Sequence, residues 1–226
     1  MAGLTLFNIS LTIFIYIGAR GLYRHFTNPF TTPVLLATII VIIVLRAADI
    51  TYVEYTPAKE SLTYLLGPAT VALAVPMYKN RFVIKEKALQ VLSGLTLGCF
   101  ATIASAIGIS KLLNFSEIIQ RTSAVKAVTT PVAIEIVTII GGDPSLAAVL
   151  VITAGIFGAS FGSMFLTLFK IHDPISRGLG IGTVSHGIGT SQAAAEGTLQ
   201  GAVSSVAIGA AAILTSIILP IIYNLL

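Results

Sequence analysis

The sequence predicts an all-α, polytopic membrane protein, and three observations predict it. Hydrophobic residues fill 55% of the 226 positions and charged residues 10%, too little polar surface to face water on all sides. Mean hydropathy is +0.96. Uncharged runs at 3–19, 26–45, 61–78, 89–109, 146–169 and 197–226 meet or approach the roughly 20 residues that cross about 30 Å of hydrocarbon. The expectation is one transmembrane domain over 1–226: N-terminal spans (1–60), a first repeat (61–112), a second repeat (113–176), and a glycine-rich segment with a final span (177–226).

The first run has no basic region before it and no small-residue cleavage site after it, so it reads as a span and not as a removable leader. Arg20 and Arg24 follow it. Lys79, Arg81, Lys85 and Lys87 follow the third run, and Lys170 with Arg177 follow the run at 146–169, whereas Asp49, Glu54, Glu60 and Asp143 occupy the alternate loops. The positive-inside rule places the basic loops in the cytoplasm and the N-terminus outside. A multi-pass protein of the cell's inner (plasma) membrane follows.

Leu66-Gly67-Pro68-Ala69-Thr70-Val71-Ala72 interrupts the third run, and Val128-Thr129-Thr130-Pro131-Val132-Ala133-Ile134 interrupts a later one. Breaking a helix at bilayer depth strands backbone polar groups, which is tolerated mainly where the break lines a cavity. Superposing Pro68 on Pro131 is a shift of 63 residues, and a shift of 64 superposes Gly94-x-x-x-Gly98 on Gly158-x-x-x-Gly162. Two matches at nearly one offset suggest a repeat, and the glycines suggest close helix packing, within the chain or in a homodimer. For the halves to be inverted, the connection 110–125 must cross the membrane. Its Lys111, Glu117 and Arg121 oppose that and favour an interfacial helix, which would make the repeats parallel.

Lys126-Ala127-Val128-Thr129-Thr130-Pro131 joins a cation, two hydroxyls and a helix start within six residues. The positive end of a half-helix dipole suits a carboxylate there. A plainer arrangement has Lys126 snorkelling to the interface and the threonines capping the helix. The segment 178–195 is rich in Gly, Ser and Thr around Ser185-His186-Gly187-Ile188-Gly189-Thr190. Repeated glycines weaken a helix by about 1 kcal/mol each, and hydroxyls offer partners to freed backbone groups. It reads as a re-entrant or interrupted helix beside a polar cavity, with His186 able to move a proton near neutral pH. Whether the final span ends outside, with Leu226, depends on that segment turning back.

Glu135 and Glu196 are candidates for a carboxyl coupled to protons, or for structural bridges to Lys126 or Arg177. Arg177 itself suits either a bidentate grip on a carboxylate or a structural tie. Cys99, the single cysteine, reads as a small packing residue. The basic residues form no stripe interleaved with aromatics, so no nucleic acid is implied. No phosphate loop, serine elbow or metal-ligand spacing is present, so no enzyme, catalytic residue, metal or cofactor is expected.

Lys126 to Ala133, Gly141-Gly142, Asp173-Pro174-Ile175-Ser176-Arg177-Gly178 and Ser185 to Thr190 together resemble the LrgB/CidB family of integral membrane proteins over roughly 62–220. Ala127 stands where that family usually has Ser. The resemblance implies two functions. One is a holin/antiholin-like protein that modulates murein hydrolase export and cell lysis beside a small LrgA/CidA-like membrane partner. The other, as in related plastid carriers of glycolate and glycerate, is secondary transport of small organic acids, pyruvate included. Two broken helices and a hydroxyl/His cluster favour transport. The expected substrate-binding residues are Lys126, Thr129, Thr130, Pro131, Arg177, Ser185, His186, Gly187, Gly189 and Thr190, with His186 and Glu135 coupling protons.

Overall fold

The computed structural model describes residues 2–225, which are helical apart from short turns, with no strand among them. Leu226, whose side of the membrane the sequence left open, lies outside the described residues. Five helical stretches are long and apolar enough to cross a membrane: Gly3–His25, Tyr52–Lys79, Ala88–Leu112, Pro144–Leu168 and Thr198–Tyr223. The expected span at 26–45 folds differently. Asn28 caps a single 3-10 turn at Pro29–Thr31, and only the 15-residue helix Pro33–Ala47 follows, about 22 Å at 1.5 Å per residue.

The chain forms two compact units, 1–72 and 73–226. The first holds α1 (Ala2–His25), α2 (Pro33–Ala47), α3 (Tyr52–Tyr64) and α4 (Leu66–Ala72). Thr51 and Glu54 form a capping box that starts α3. The fully buried Asn8 of α1 donates to Glu54 O, and Thr12 bonds Tyr55 Oη at 2.9 Å. The expected break at Pro68 is only a bend. Leu65 leaves the helix for one residue in αR geometry, and α4 runs through Pro68. Tyr64, Leu65, Leu66 and Val71 around it are exposed, so this stretch lines no cavity within its unit.

The second unit holds α5 (Ala74–Lys79), α6 (Arg81–Glu86), α7 (Ala88–Leu112), α8 (Glu117–Ala124), α9 (Thr130–Ile139), α10 (Pro144–Leu168), α11 (Pro174–Glu196) and α12 (Thr198–Leu225). Asp173 caps α11, and its bonds to the Ser176 amide and hydroxyl hold its carboxyl below the usual carboxylate range. Helices α7, α10 and α12 are full-length rods. Between them sit two segments that enter the bundle and turn back.

The first is 117–140. Arg121 of α8 donates to Ile140 O at the far end of α9 (2.6 Å), and Thr122 accepts from the Asp143 amide (2.9 Å). A straight helix would separate residues nineteen apart by about 28 Å, so the chain has doubled back between them. The second is α11. Arg177 near its start binds Glu196 at its end at 3.0 Å, again nineteen residues on. Its only non-helical residue is His186, at φ 41° and ψ −137°. We call these hairpin 1 (117–140) and hairpin 2 (174–196).

The hairpins open at opposite ends of the unit. Ser110, at the end of α7, bonds Ser123 of hairpin 1, and Tyr223, near the end of α12, bonds Gln120 O. Arg177 of hairpin 2 instead reaches Ser163 O, Thr167 Oγ1 and Ile171 O, at the end of α10. Asn80, beside the start of α6, bonds Thr198 O. Lys79, Arg81, Lys85, Lys87 and Lys170 therefore share the hairpin 2 end, and Asp143 lies at the other, the asymmetry the positive-inside rule expects. The connection 110–125 does not cross. Its charged residues Glu117 and Arg121 pair at one end of the unit.

Candidate functional site

Hairpin 1 carries Lys126, Thr129, Thr130 and Pro131 at its tip. Helix α8 stops at Ala124, and its last carbonyls are consumed in tight turns: Ser123 O accepts from the Lys126 amide and Val125 O from the Val128 amide. Thr129 is extended (φ −68°, ψ 148°), Pro131 presets the first turn of α9, and the ladder begins with the Ala133 amide to Thr129 O at 2.9 Å. Thr129 makes no side-chain cap. The amide end of α9 is thus left to whatever lies at the tip, with the positive dipole end beside it.

Lys126 reaches inward to Thr102 O of α7 at 3.4 Å. Among the described residues the ion pairs are Arg121–Glu117 and Arg177–Glu196, and neither involves Lys126. A half-buried ammonium with one long bond to a carbonyl is electrostatically incomplete. An anion would complete it.

Hairpin 2 carries Ser185, His186, Gly187, Gly189 and Thr190 at its turn. The positive φ of His186 lies where only glycine is at ease, so the contacts around it must hold that backbone. Its ring nitrogen Nε2 meets Val151 O of α10 at 2.9 Å. Thr190 binds His186 O at 2.9 Å and Ser204 of α12 at 2.6 Å, fastening the returning arm. Gly155 and Gly158 of α10 make the space: a Cβ on Gly155 would sit 2.5 Å from the His186 ring, and one on Gly158 would overlap Ser185 Oγ. Gly189 lacks the Cβ that would strike Ser185 in the opposite arm.

The two tips reach the same depth. Lys126 touches α7 at Thr102, and Thr183 lies against Gly98 of α7 one turn away, where a Cβ would meet its Oγ1 at 3.3 Å. On α10, the Val151 carbonyl accepts from His186 Nε2, while the Val151 side chain packs in one buried cluster with Val128, Ala133 and Val137 of hairpin 1. Both returning arms, α9 and 187–196, begin at these tips. Gly94, Gly98, Gly158 and Gly162 all face the first arm of α11, through Leu179, Thr183, Ser185 and Ile181. They pack one half-helix between two rods.

Two predicted site residues are placed elsewhere. Glu135 is exposed on the outer face of α9, because four residues beyond Pro131 the half-helix turns its Ala133, Ile136 and Val137 face to the core. Arg177 has its guanidinium engaged by Glu196, Thr167, Ser163 and Ile171 at the hairpin base, leaving little of it for a solute. Glu196, also accepting from the Ser163 hydroxyl, is a structural partner and not a free carboxyl. Residues missed from the sequence are Thr102, Val151 and Gly155. The first two act through backbone carbonyls, which leave no mark in a sequence. Gly155, three residues before Gly158 in an apolar run, was readable as part of one small-residue face.

The model of the LrgB-like family matches residues 12–225. Uncharacterized protein YwbG of Bacillus subtilis (strain 168) is 35% identical over 209 residues, covering 92% of each chain. Uncharacterized protein YxaC of the same organism is 34% identical over 214 residues, 95% of this chain and 93% of the relative. Antiholin-like protein LrgB of Bacillus mycoides (strain KBAB4) is 27% identical over 215 residues, 95% of this chain and 94% of the relative. No solved structure matches the chain.

Proposed function

This chain belongs to the LrgB-like family, and from that premise we propose that it is a multi-pass plasma-membrane carrier of small organic monocarboxylates of the glycolate, glycerate or pyruvate type. One observation supports this reading above others: Lys126, outside any ion pair among the described residues, and two half-helix amide ends lie at the tips of hairpins that open at opposite ends and rest on α7 and α10. Discontinuous helices facing each other at the midplane are a recurrent arrangement for holding a solute in transit. A carboxylate would sit between Lys126 and the α9 amide end, with Thr129, Thr130 and Ser185 hydrogen-bonding its oxygens. His186, buried and tied to Val151 O, is the candidate for proton coupling. The action is transport and not catalysis, alone or beside an LrgA-like partner.

The comparisons favour a second reading over the first. Relatives covering nearly the whole chain are named antiholin-like protein LrgB. On that reading the protein modulates murein hydrolase export and cell lysis. The geometry bears on it in one respect: a protein that only lines a hole has no use for re-entrant tips holding an uncompensated ammonium.

Reconstituted vesicles separate the two. The purified chain, with and without an LrgA-like partner, is expected to give saturable uptake of labelled pyruvate, glycolate or glycerate. His186→Ala and Thr130→Ala each lower that uptake about tenfold, the effect of about 1.4 kcal/mol at a polar contact. Non-saturable leakage of unrelated dyes, indifferent to both substitutions, would instead support the antiholin-like reading.

A further inference from the structure

The arginines at the hairpin bases are spaced alike. A shift of 56 residues superposes Arg121 on Arg177 and the ends of the arms, Ile140 on Glu196, so each arginine bridges to the residue nineteen positions on. The same shift superposes Glu117 on Asp173, Ile119 on Ile175, Val128 on Val184, Thr129 on Ser185 and Gly141 on Gly197. It also lays the 25-residue α7 on the 25-residue α10. These pairs lie in segments that run in opposite directions through the bundle, which is an inverted repeat of rod plus hairpin. The offset of 63 built on Pro68 and Pro131 relates an exposed bend to a tip and is superseded.

We propose that Arg121 and Arg177 are repeat-related latches, each closing the base of one hairpin and thereby governing access to the central tips from its own side of the membrane. Each spans both arms of its hairpin at the level where the arms leave the bundle. Arg177 is the more enclosed: it and Glu196 are 12% and 17% exposed, and its remaining donors are spread over the end of α10. Arg121 closes hairpin 1 on the Ile140 carbonyl, is paired with Glu117, and lies over the Tyr223 ring at 5.5 Å. Gly141, at φ +74°, admits it: a Cβ there would come within 3.0 Å of Nη1. Unfastening either latch lets the arms of that hairpin part without disturbing the rods, which exposes the tip to that end alone.

That parting serves as a gate only if the carrier reading holds, but the test needs no transport. In a Cys99→Ala background, single cysteines at Gly187→Cys and Thr129→Cys report the two tips to a membrane-impermeant maleimide applied to either side of sealed vesicles. Arg177→Lys, which keeps the charge and loses the fork, is expected to raise labelling of Gly187→Cys about tenfold from the side bearing Lys85 and Lys87, with no change from the other side. Glu196→Gln is expected to do the same and serves if the first variant folds poorly. Arg121→Lys is expected to give the mirror result for Thr129→Cys. Labelling that rises equally from both sides, or from neither, in correctly folded variants overturns the latch assignment. Absence of saturable uptake by the unmodified chain, with one-sided labelling as expected, overturns the carrier reading and leaves the latches standing.

Discussion

Gly182→Leu is expected to destabilise the protein by about 3 kcal/mol or more, at the upper end for inserting bulk into a packed interface. The first arm of hairpin 2 lies against α12 through Gly178 and Gly182, one turn apart. A Cβ on Gly182 would stand 2.7 Å from Ser204 O and 2.8 Å from both Ser204 Cα and Ala207 Cβ. Backbone atoms of a rod cannot rotate aside as a side-chain end can, so the arm itself must lift. Lifting it strains the links made at its two ends, the Arg177–Glu196 pair and the His186–Val151 contact. Thermal unfolding in detergent is the measurement, with a drop of about 10 °C for a protein of this size. Gly209→Leu is the control, since a Cβ there meets nothing within 4 Å on the same helix α12. Equal melting of the two variants would show that the arm does not rest on α12 as described.

The second large effect is on uptake. Lys126→Met is expected to cost about 3 kcal/mol of solute binding, raising the half-saturating concentration about a hundredfold, because it removes a half-buried charge facing the solute's own. Lys126→Arg is expected to recover part of the loss, since it restores charge but not the geometry of the Thr102 contact. Folding should be nearly untouched by either change: the lysine's one protein bond is 3.4 Å long. Unchanged half-saturation in Lys126→Met would remove the ammonium from the site.

Much of the membrane architecture was legible in the sequence. The rods α7, α10 and α12 announce themselves because 25 or more apolar residues with almost no charge admit few other structures. The start of α9 was legible too, since Pro131 marks a first helical turn. Of the two hairpins, 178–195 reads as a re-entrant or interrupted helix, and 117–140 does not read as a hairpin. Their arms are too short to register as spans, and what tells a re-entrant pair from an interfacial helix is contact between residues nineteen apart. The partnership of Arg177 with Glu196 appears only once the chain turns at His186, so the arginine read as a candidate ligand. The 56-residue offset was hidden by chemistry: it pairs Thr130 with His186 and Lys126 with Gly182. Pro68 offered a louder but misleading match. Glu135, a candidate coupling carboxyl in the sequence, is exposed because Ala133, Ile136 and Val137 are the positions of α9 that turn to the core.

The Thr102 and Gly155 levels of α7 and α10, where the two tips insert, also bear on speed. On the carrier reading, a bundle stoppered from above and below passes no free stream of ions, and flux waits on displacement of a stopper, a motion of microseconds to milliseconds or slower. Planar-bilayer recordings of the intact protein should therefore be electrically silent, free of unitary current steps at any holding potential.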